Sequence, residues 1–330
     1  MGVSMIEQIK KTKEAYENLM FEIDLVPLVL KTNNLFHTDL NNLSVKNYKA
    51  VVDIQNKHIL SVVSNEYSLV TNRLAVTWAK EIFADIFGID LKDQLVPFKV
   101  INSARKTFCH IDLIHQEYSP IKIDQDSWLP LIRITNSYNR TYPLVFHIGF
   151  VRSICSNGVI FQSKTLTFRQ THTEIVFKSG KSLRDYFPNY YSEIAKFKTI
   201  KADFLGYMNG LYKLHIPFEK INPVVKKVLS LKFQTEHPSK IFREKAQQAE
   251  KLYNELINDL SITYSKKLEN TAYCALNVMT DLITHGDIYG CIPGFSTKSP
   301  ILNLRVIEWV QSFPLHFSKK DFKWENYLSN

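Results

Sequence analysis

The sequence predicts an α+β protein, in which a mixed or antiparallel β-sheet domain with packed helices is followed by a mostly helical C-terminal part. Apolar and polar residues alternate over much of the stretch from residue 98 to 177, which is the period of half-buried strands. After Pro188, apolar residues recur at the three- and four-residue spacing of helices. With 330 residues, 45% of them hydrophobic, the chain is long enough for one large domain or two smaller ones.

These patterns divide the chain into four regions. Residues 1–48 are expected to hold an N-terminal helix and an irregular arm, and residues 49–180 a β-rich core domain. Residues 181–290 are expected to form a basic helical region packed on that core, and residues 291–330 a C-terminal helix and tail.

In the first half, apolar stripes predict helices over residues 5–21 and 73–87. Ala50–Ile54 and Ile59–Val63 are β-branched runs around a polar turn, which predicts a hairpin. Residues 22–47 contain a proline and several asparagines, so we expect them to be irregular.

The last predicted strand covers residues 173–177, and helices follow it. They are expected over residues 191–214, 222–231, 239–260, 268–285 and 303–311. Pro217, Pro223 and Pro238 are expected at helix junctions, because proline fits the first turn of a helix and blocks continuation of the previous one.

The most informative stretch joins two apolar strands, each closed by a turn that contains asparagine. Leu131–Ile134 runs into Asn136–Arg140, and Leu144–Ile154 runs into Ser156–Gly158. Asparagine and glycine tolerate positive φ, so both clusters predict tight turns. Three arginines are embedded among the apolar residues here: Arg133, Arg140 and Arg152. Such arginines either meet an anion or form the polar side of a half-buried sheet.

This stretch resembles the phage/plasmid-like proteins, a domain of unknown function found on phages, prophages and plasmids. That family has an N-S-[HY]-[DN]-G turn followed by a strand and R-x-[VI]-C-x-N, similar to Asn136–Asn139 and Arg152–Asn157. Asn65–Asn72 and Thr271–His285 are similar to two further segments of the family. The residues that carry the motifs are Asn136, Ser137, Arg152, Cys155, Asn157, Asn277 and His285. Arg140 departs from the pattern, since the family often has glycine there.

The matches together span about residues 50–290. The resemblance implies a protein of a mobile element that acts in the cytoplasm of a bacterial host. The family has no established activity, so the resemblance implies none for this chain.

The charge distribution favours a polyanionic partner. The net charge is +9, and nucleic acid is the commonest partner of basic proteins. Between Lys196 and Lys245, eleven bases and four acids leave an excess of 11 − 4 = +7. Phosphate contacts need such a concentration of cations; the alternatives are a solvated helical face or a lysine-rich genome. The candidate nucleic-acid-binding residues are Arg133, Arg140, Arg152, Lys196, Lys198, Lys201, Lys226, Lys227, Lys232 and Arg243.

Large aromatic residues recur along the predicted strands. They are Phe108, Tyr118, Trp128, Tyr138, Tyr142, Phe146, Phe150 and Phe168. Interleaved with basic residues, they resemble a sheet that stacks bases, and Tyr138 and Tyr142 are the stacking candidates. The alternative interpretation is an aromatic core with a basic solvent face.

No catalytic or cofactor motif is present in the sequence. No G-x-G-x-x-G, G-x-S-x-G or H-E-x-x-H occurs, so we expect no cofactor, no metal and, on balance, no enzyme. His285, four residues after Asp281, is the first residue to test for chemistry; a histidine that interacts with the end of a helix is the simpler explanation. The four cysteines lack C-x-x-C spacing and predict reduced core thiols in a cytoplasm. The longest apolar run, Leu25–Leu30, is too short for a membrane helix.

The function that we expect is non-catalytic nucleic-acid binding, with single-stranded DNA favoured, in the annealing steps of replication or recombination. Self-association into a homo-oligomer would fit this role. One alternative is a factor that binds a host protein, for example a defence component, through an exposed apolar patch. A second alternative is a metal-dependent nuclease, which needs converging carboxylates.

Overall fold

The computed structural model describes residues 12–30, 43–88, 94–115, 121–123, 126–152, 158–159, 167–173, 175, 182–233, 235–236, 238–285 and 295–329. These residues form two antiparallel sheets and a helical C-terminal part. The predicted α+β class is therefore confirmed.

The first sheet has three strands in the order β1-β2-β3. They are β1 (Ile23–Leu30), β2 (Leu43–Asp53) and β3 (His58–Ser64). The predicted hairpin is the β2–β3 pair. The prediction of an irregular arm over residues 22–47 is wrong where β1 and the start of β2 lie. Pro27 is tolerated because β1 is an edge strand, whose outward side needs no hydrogen-bond donors, and the register shifts beside Pro27.

The second sheet has five strands on its main path, in the order β10-β8-β7-β5-β4. They are β4 (Leu95–Asn102), β5 (Phe108–His115), β7 (Asp126–Ser137), β8 (Leu144–Arg152) and β10 (Thr167–Gln170). Two short strands add to it: β6 (Ile121–Ile123) pairs with β7, and β9 (Gly158–Val159) pairs with β8. The strand predicted over 173–177 is not formed at Thr173 and Ile175, its two described residues.

Helices make up most of the remainder. They are α1 (12–17), α2 (Asn72–Phe87), α3 (Leu183–Tyr186), α4 (Tyr190–Lys213), α5 (Phe218–Val228), α6 (Lys240–Leu268), α7 (Ala272–His285), α8 (Phe295–Phe317) and α9 (Trp324–Ser329). Helix α5 begins before the predicted start, so that Pro223 lies inside it and not at a junction. Helices α6 and α8 both extend further than their apolar stripes indicated.

One hydrophobic core joins the second sheet to the helices that follow it. Trp128 of β7 and Phe150 of β8 pack on Phe204 of α4, with ring centroids 5.2 and 4.6 Å away. The indole Nε1 of Trp128 donates to the hydroxyl of Tyr273 in α7, at 3.0 Å. This face of the sheet is covered by helices, which leaves its opposite face as the place to look for a site.

Candidate nucleic-acid interface

Two rows of residues cross the opposite face of the second sheet. Residues that are directly paired in antiparallel strands share a face. The first row is Lys99, Asp112, Arg133 and His147. The second row is Ile101, His110, Thr135, Val145 and Arg169. We call these two rows the polar face.

A buried ion pair lies at the centre of the polar face. Arg133 donates from Nε and Nη2 to the two carboxylate oxygens of Asp112, at 2.6 and 2.7 Å. The two side chains are 9% and 4% exposed. Arg133 was predicted to bind a nucleic acid, but Asp112 already neutralises its charge. It is therefore a structural residue of the sheet and not an exposed phosphate contact.

Two neutral histidines flank this ion pair. Burial, reinforced by the positive charge of Arg133, lowers the pKa of His110 and of His147 to about 4. The Nδ1 atom of His110 lies 2.8 Å from the hydroxyl of Thr135. Both imidazoles are uncharged near pH 7, so they add no positive charge to the polar face.

The sequence interpretation did not single out Asp112 or His147. The sequence does contain an indication of this ion pair, because an arginine in the middle of an apolar strand needs a buried anionic partner. Asp112 is one of the acids with strand neighbours that could supply it. The sequence does not show that β5 pairs with β7, and this pairing is what places Asp112 beside Arg133.

Aromatic rings gather where the polar face meets the β7–β8 turn. Tyr142, 41% exposed, has its ring centroid 5.3 Å from Phe108 and 5.8 Å from His110. Ser137 holds the turn in place: its hydroxyl donates to the carbonyl of Tyr142 at 2.6 Å and accepts from the same residue's N–H at 3.1 Å. Tyr142 thus remains an accessible stacking candidate.

Tyr138 is not an accessible stacking residue, and its selection as a candidate was wrong. It is 1% exposed, and its hydroxyl accepts from the backbone N–H of Asn72 at 2.9 Å. Four more of the predicted platform aromatics belong to the main core: Trp128, Phe146, Phe150 and Phe168. Tyr118 lies outside the described residues.

The family-motif residues Asn136 and Ser137 connect the turn to the segment before α2. Asn136 Nδ2 donates to the carbonyl of Val70 and to Oδ1 of Asn72, both at 2.9 Å. The hydroxyl of Tyr67 donates to the carbonyl of Ser137 at 3.0 Å. Two segments that carry the family resemblance, distant in sequence, are therefore hydrogen-bonded to each other.

Among the other motif residues, Asn277 is the one whose side chain is described. Asn277 is buried in α7, where its Nδ2 donates to the carbonyl of Tyr273 at 2.7 Å. Arg152 and His285 end β8 and α7, and their side chains are outside the described part of the structure. Cys155 and Asn157 lie outside the described residues altogether.

A cleft of about 330 Å³ opens beside Tyr142, and we call it the turn cleft. It is lined by Arg140, Thr141, Tyr142, Pro143, Arg169, Thr171, His172 and Thr173. This lining of described residues contains two arginines and no carboxylate. Arg140 has φ 63°, a region that glycine adopts most easily, so a glycine would fit this position without strain.

His172 is a buried residue in the lining of the turn cleft. Its ring stacks on Tyr67, with centroids 4.8 Å apart and planes 19° apart. Its Nδ1 lies 3.1 Å from the carbonyl oxygen of Ser68, and because a carbonyl only accepts, Nδ1 carries the proton. Burial lowers the pKa of His172, so the positive charge of the cleft comes from its arginines.

The basic helical residues are more dispersed than their clustering in sequence suggested. They lie on α4, α5, α6 and the α5–α6 loop. Lys196 forms an ion pair with Glu193, and Nζ of Lys226 lies 3.2 Å from Oε1 of Glu250. Lys227 donates to the carbonyl of Tyr327.

The remaining candidates differ in their surroundings. Arg243 Nη1 donates to the carbonyl of Pro238 at 2.9 Å. Lys201 is half-buried and Lys232 is exposed. The side chain of Lys198 is not among those described. Of the eight predicted cations whose side chains are described, only Arg140 lines the turn cleft.

The described residues contain no group of three or more metal-binding side chains. Asp53, an acid that a nuclease site could use, is buried and accepts from the N–H and Nδ2 of Asn56 at 2.9 and 2.8 Å. Burial raises the pKa of the Cys109 thiol to about 12, so it is an inert core thiol like the buried Cys274. In the described part of the chain, no helix has the length and apolarity needed to cross a membrane.

Fold and site together define an α+β protein with a cationic, aromatic-flanked cleft at one end of an antiparallel sheet. The chain belongs to the family described as Domain of unknown function (DUF932), whose model matches residues 59–306. No curated protein and no solved structure matches the chain. The turn cleft lies inside the matched region.

Proposed function

We propose that the protein binds nucleic acid without catalysis, and that a single strand of DNA lies in the turn cleft. The observation that carries the proposal is the composition of that cleft. Arg140 and Arg169 are exposed there, and the described lining also contains Tyr142 and no carboxylate. A guanidinium binds phosphate through two parallel hydrogen bonds.

The aromatic residues beside the cleft favour a single strand over a duplex. Tyr142, packed beside the half-buried Phe108, is exposed and offers a ring on which an unpaired base can stack; each stacked base contributes about 1–3 kcal/mol. In a duplex the bases are already stacked on one another. Binding should be sensitive to salt, because each phosphate contact releases condensed counterions.

The biological setting is part of the same proposal. The family resemblance supports a role on a phage or plasmid, in annealing during replication or recombination. Such a protein acts in the cytoplasm of the bacterial host, where Cys109 and Cys274, both free and buried, remain reduced. A strand longer than one cleft would bind several copies, so we also propose a homo-oligomer on DNA.

Fluorescence anisotropy with labelled single-stranded DNA, duplex DNA and RNA, titrated with salt, tests the proposal. We expect the DNA single strand to bind tightest and Arg169→Gln to weaken it about tenfold. Lys251→Gln, which removes one charge from a side chain that is 78% exposed on α6, is the matched control and should change little. If no nucleic acid binds at low salt, or if the two variants weaken binding equally, the cleft is not the site.

Charge reversal of Lys226 and Lys227 tests whether DNA binds at the turn cleft or at the basic helices. Both lysines have local partners, so we expect their reversal to lower stability more than affinity. A loss of DNA affinity without a loss of stability in that variant would show that the interface lies on α5 and not at the turn cleft.

A second candidate function, binding to a host protein, is favoured by one observation. The outer face of the first sheet exposes four apolar or aromatic side chains: Val26, Tyr48, Ile59 and Val62. Exposed patches of this kind mark interaction surfaces. If this face binds a partner, Ile59→Lys with Val62→Lys should abolish its capture from host extract and leave DNA binding intact.

A further inference from the structure

A second and larger cleft lies at the other end of the chain. It has a volume of about 550 Å³, within the range of roughly 300–1,000 Å³ that small-molecule sites occupy. We call it the C-terminal cleft. It is lined by Lys227, Val228, Ser230, Arg305, Glu308, Trp309, Ser312, His316, Lys319, Asp321, Phe322, Lys323, Asn326 and Tyr327.

Helix α8 and the tail form two walls of this cleft, and Lys227, Val228 and Ser230 at the end of α5 complete its lining. Arg305, Trp309, Ser312 and His316 follow one another at three- and four-residue spacing, so they share one face of α8. The opposite wall is the tail from residue 319 to 327, which includes the start of α9.

The tail wall is fixed by packing. The ring centroids of Tyr327 and Phe313 are 5.3 Å apart. Nζ of Lys227 is 4.8 Å from the ring centroid of Tyr327. Lys227 also donates to the carbonyl of Tyr327. Trp324 packs on Phe313 and Phe317, at 6.2 and 6.0 Å. The tail docks on its own chain, and a ligand would find the cleft already formed.

The charges that line the cleft have both signs. Lys227, Arg305, Lys319 and Lys323 are cationic, and Glu308 and Asp321 are acidic, so the formal sum is 4 − 2 = +2. Arg305 donates Nη1 to the carbonyl of Leu229 at 3.2 Å, which orients its guanidinium and leaves others of its five N–H donors for a ligand.

We propose that the C-terminal cleft binds a small phosphate ester that carries hydroxyl groups, of the nucleotide or sugar-phosphate class. The cations hold the phosphate. A carboxylate placed near a phosphate site accepts hydrogen bonds from sugar hydroxyls, as acidic residues do for ribose in dinucleotide sites; Glu308 and Asp321 take this role. The two acids repel a continuous chain of phosphates, so the ligand is small and the site is separate from the proposed DNA interface.

Isothermal titration calorimetry at low salt tests this with four probes: AMP, ATP, ribose 5-phosphate and inorganic pyrophosphate. We expect the hydroxyl-bearing esters to bind. Lys319→Gln with Lys323→Gln, both at exposed positions, should weaken them at least about tenfold. The matched control is Lys240→Gln with Lys251→Gln on α6, which removes the same charge from side chains 81% and 78% exposed and should leave binding unchanged.

Glu308→Gln isolates the hydroxyl contacts. It should weaken AMP and ribose 5-phosphate and leave pyrophosphate the same or tighter, because only an acid is removed. A preference for AMP over ribose 5-phosphate identifies a nucleotide site, and the reverse identifies a sugar-phosphate site; both support the proposal. It is overturned if none of the probes binds, if pyrophosphate binds as tightly as the esters, or if the α6 control loses as much affinity as the cleft variant. Arg169→Gln should bind the esters normally, so the outcome is independent of the DNA experiment.

Discussion

The turn cleft and the C-terminal cleft have the same formal charge but are built differently. The turn cleft reaches +2 with two arginines and no acid in its described lining, whereas the C-terminal cleft reaches +2 with four cations and two acids. The first lies beside a sheet whose polar face contains a buried ion pair. The second is closed by a tail held through aromatic contacts. Net charge alone therefore does not identify a ligand. The presence or absence of acids in the lining is the difference on which our two proposals rest.

The largest expected effect concerns the ion pair beneath the polar face. Asp112→Asn leaves the charge of Arg133 buried and unpaired, and should lower the free energy of unfolding by about 3–5 kcal/mol. Urea unfolding measures it. Glu255→Gln, in the exposed pair with Lys251, is the control and should cost less than about 1 kcal/mol. Similar losses in the two variants would show that the Asp112–Arg133 pair is solvated.

The pH dependence of stability should follow the two neutral histidines of the polar face. The pKa of His110 and of His147 is about 4 in the folded protein, below the ordinary 6.5. The unfolded chain therefore binds more protons between these values, and stability present above pH 6.5 is lost as the pH falls toward 4. From pH 7 to 5 we expect a loss on the order of 1–2 kcal/mol per histidine. Urea unfolding of His110→Gln with His147→Gln should show a smaller loss; an unchanged pH slope would contradict the assignment.

Removal of one aromatic side chain from the tail should affect binding at one cleft and not at the other. Trp324→Ala detaches the tail wall, with an expected cost of about 2 kcal/mol from lost apolar burial, and should abolish ester binding at the C-terminal cleft. Binding of single-stranded DNA should remain. Parallel calorimetry and anisotropy on the same preparation measure both, and loss of the two activities together would mean that the clefts are not independent.

The salt dependence of DNA binding should change in proportion to the number of phosphate contacts that are removed. Arg140→Gly and Arg169→Gln each remove one phosphate contact, so with single-stranded DNA each should make the slope of log K against log salt less steep by about 0.7. Lys251→Gln should leave the slope as it is. If the slope stays constant in both arginine variants, the phosphates lie elsewhere.

The smallest expected effect is on stability at Arg140. Its φ of 63° strains any residue with a Cβ, at a cost of roughly 1 kcal/mol. Arg140→Gly should therefore be more stable than Arg140→Ala by up to about 1 kcal/mol, measured by thermal unfolding. Equal stabilities would indicate that the turn relaxes.

Local patterns were enough for most elements of this fold. The alternation of β5, β7 and β8, the β2–β3 hairpin and the apolar stripe of α2 are properties of adjacent residues, and all of them form as expected. The edge strand β1 was missed because its proline and the asparagines after it are typical of loops. It is a strand because β2 supplies its hydrogen bonds.

The candidate sites were predictable only in part. Tyr138 and Tyr142 have the same ring chemistry and lie in one turn, yet the first is buried against the loop before α2 and the second is exposed. Arg133 and Arg140 differ in the same way: one pairs with Asp112, twenty-one residues away, and the other lines a cleft. No local pattern distinguishes the members of either pair.

The sequence by itself determined the α+β class, the positive charge and the turn at Asn136–Arg140, because periodicity, composition and turn chemistry are local. Only the tertiary structure decided which cations are neutralised, which aromatic rings are covered and which segments line a common cleft. Those outcomes depend on contacts between residues far apart in the chain, such as Arg169 beside Arg140 and the tail beside α8. Alternation reveals that a strand has two faces, but the partner that packs on a face determines whether a side chain there is core or site.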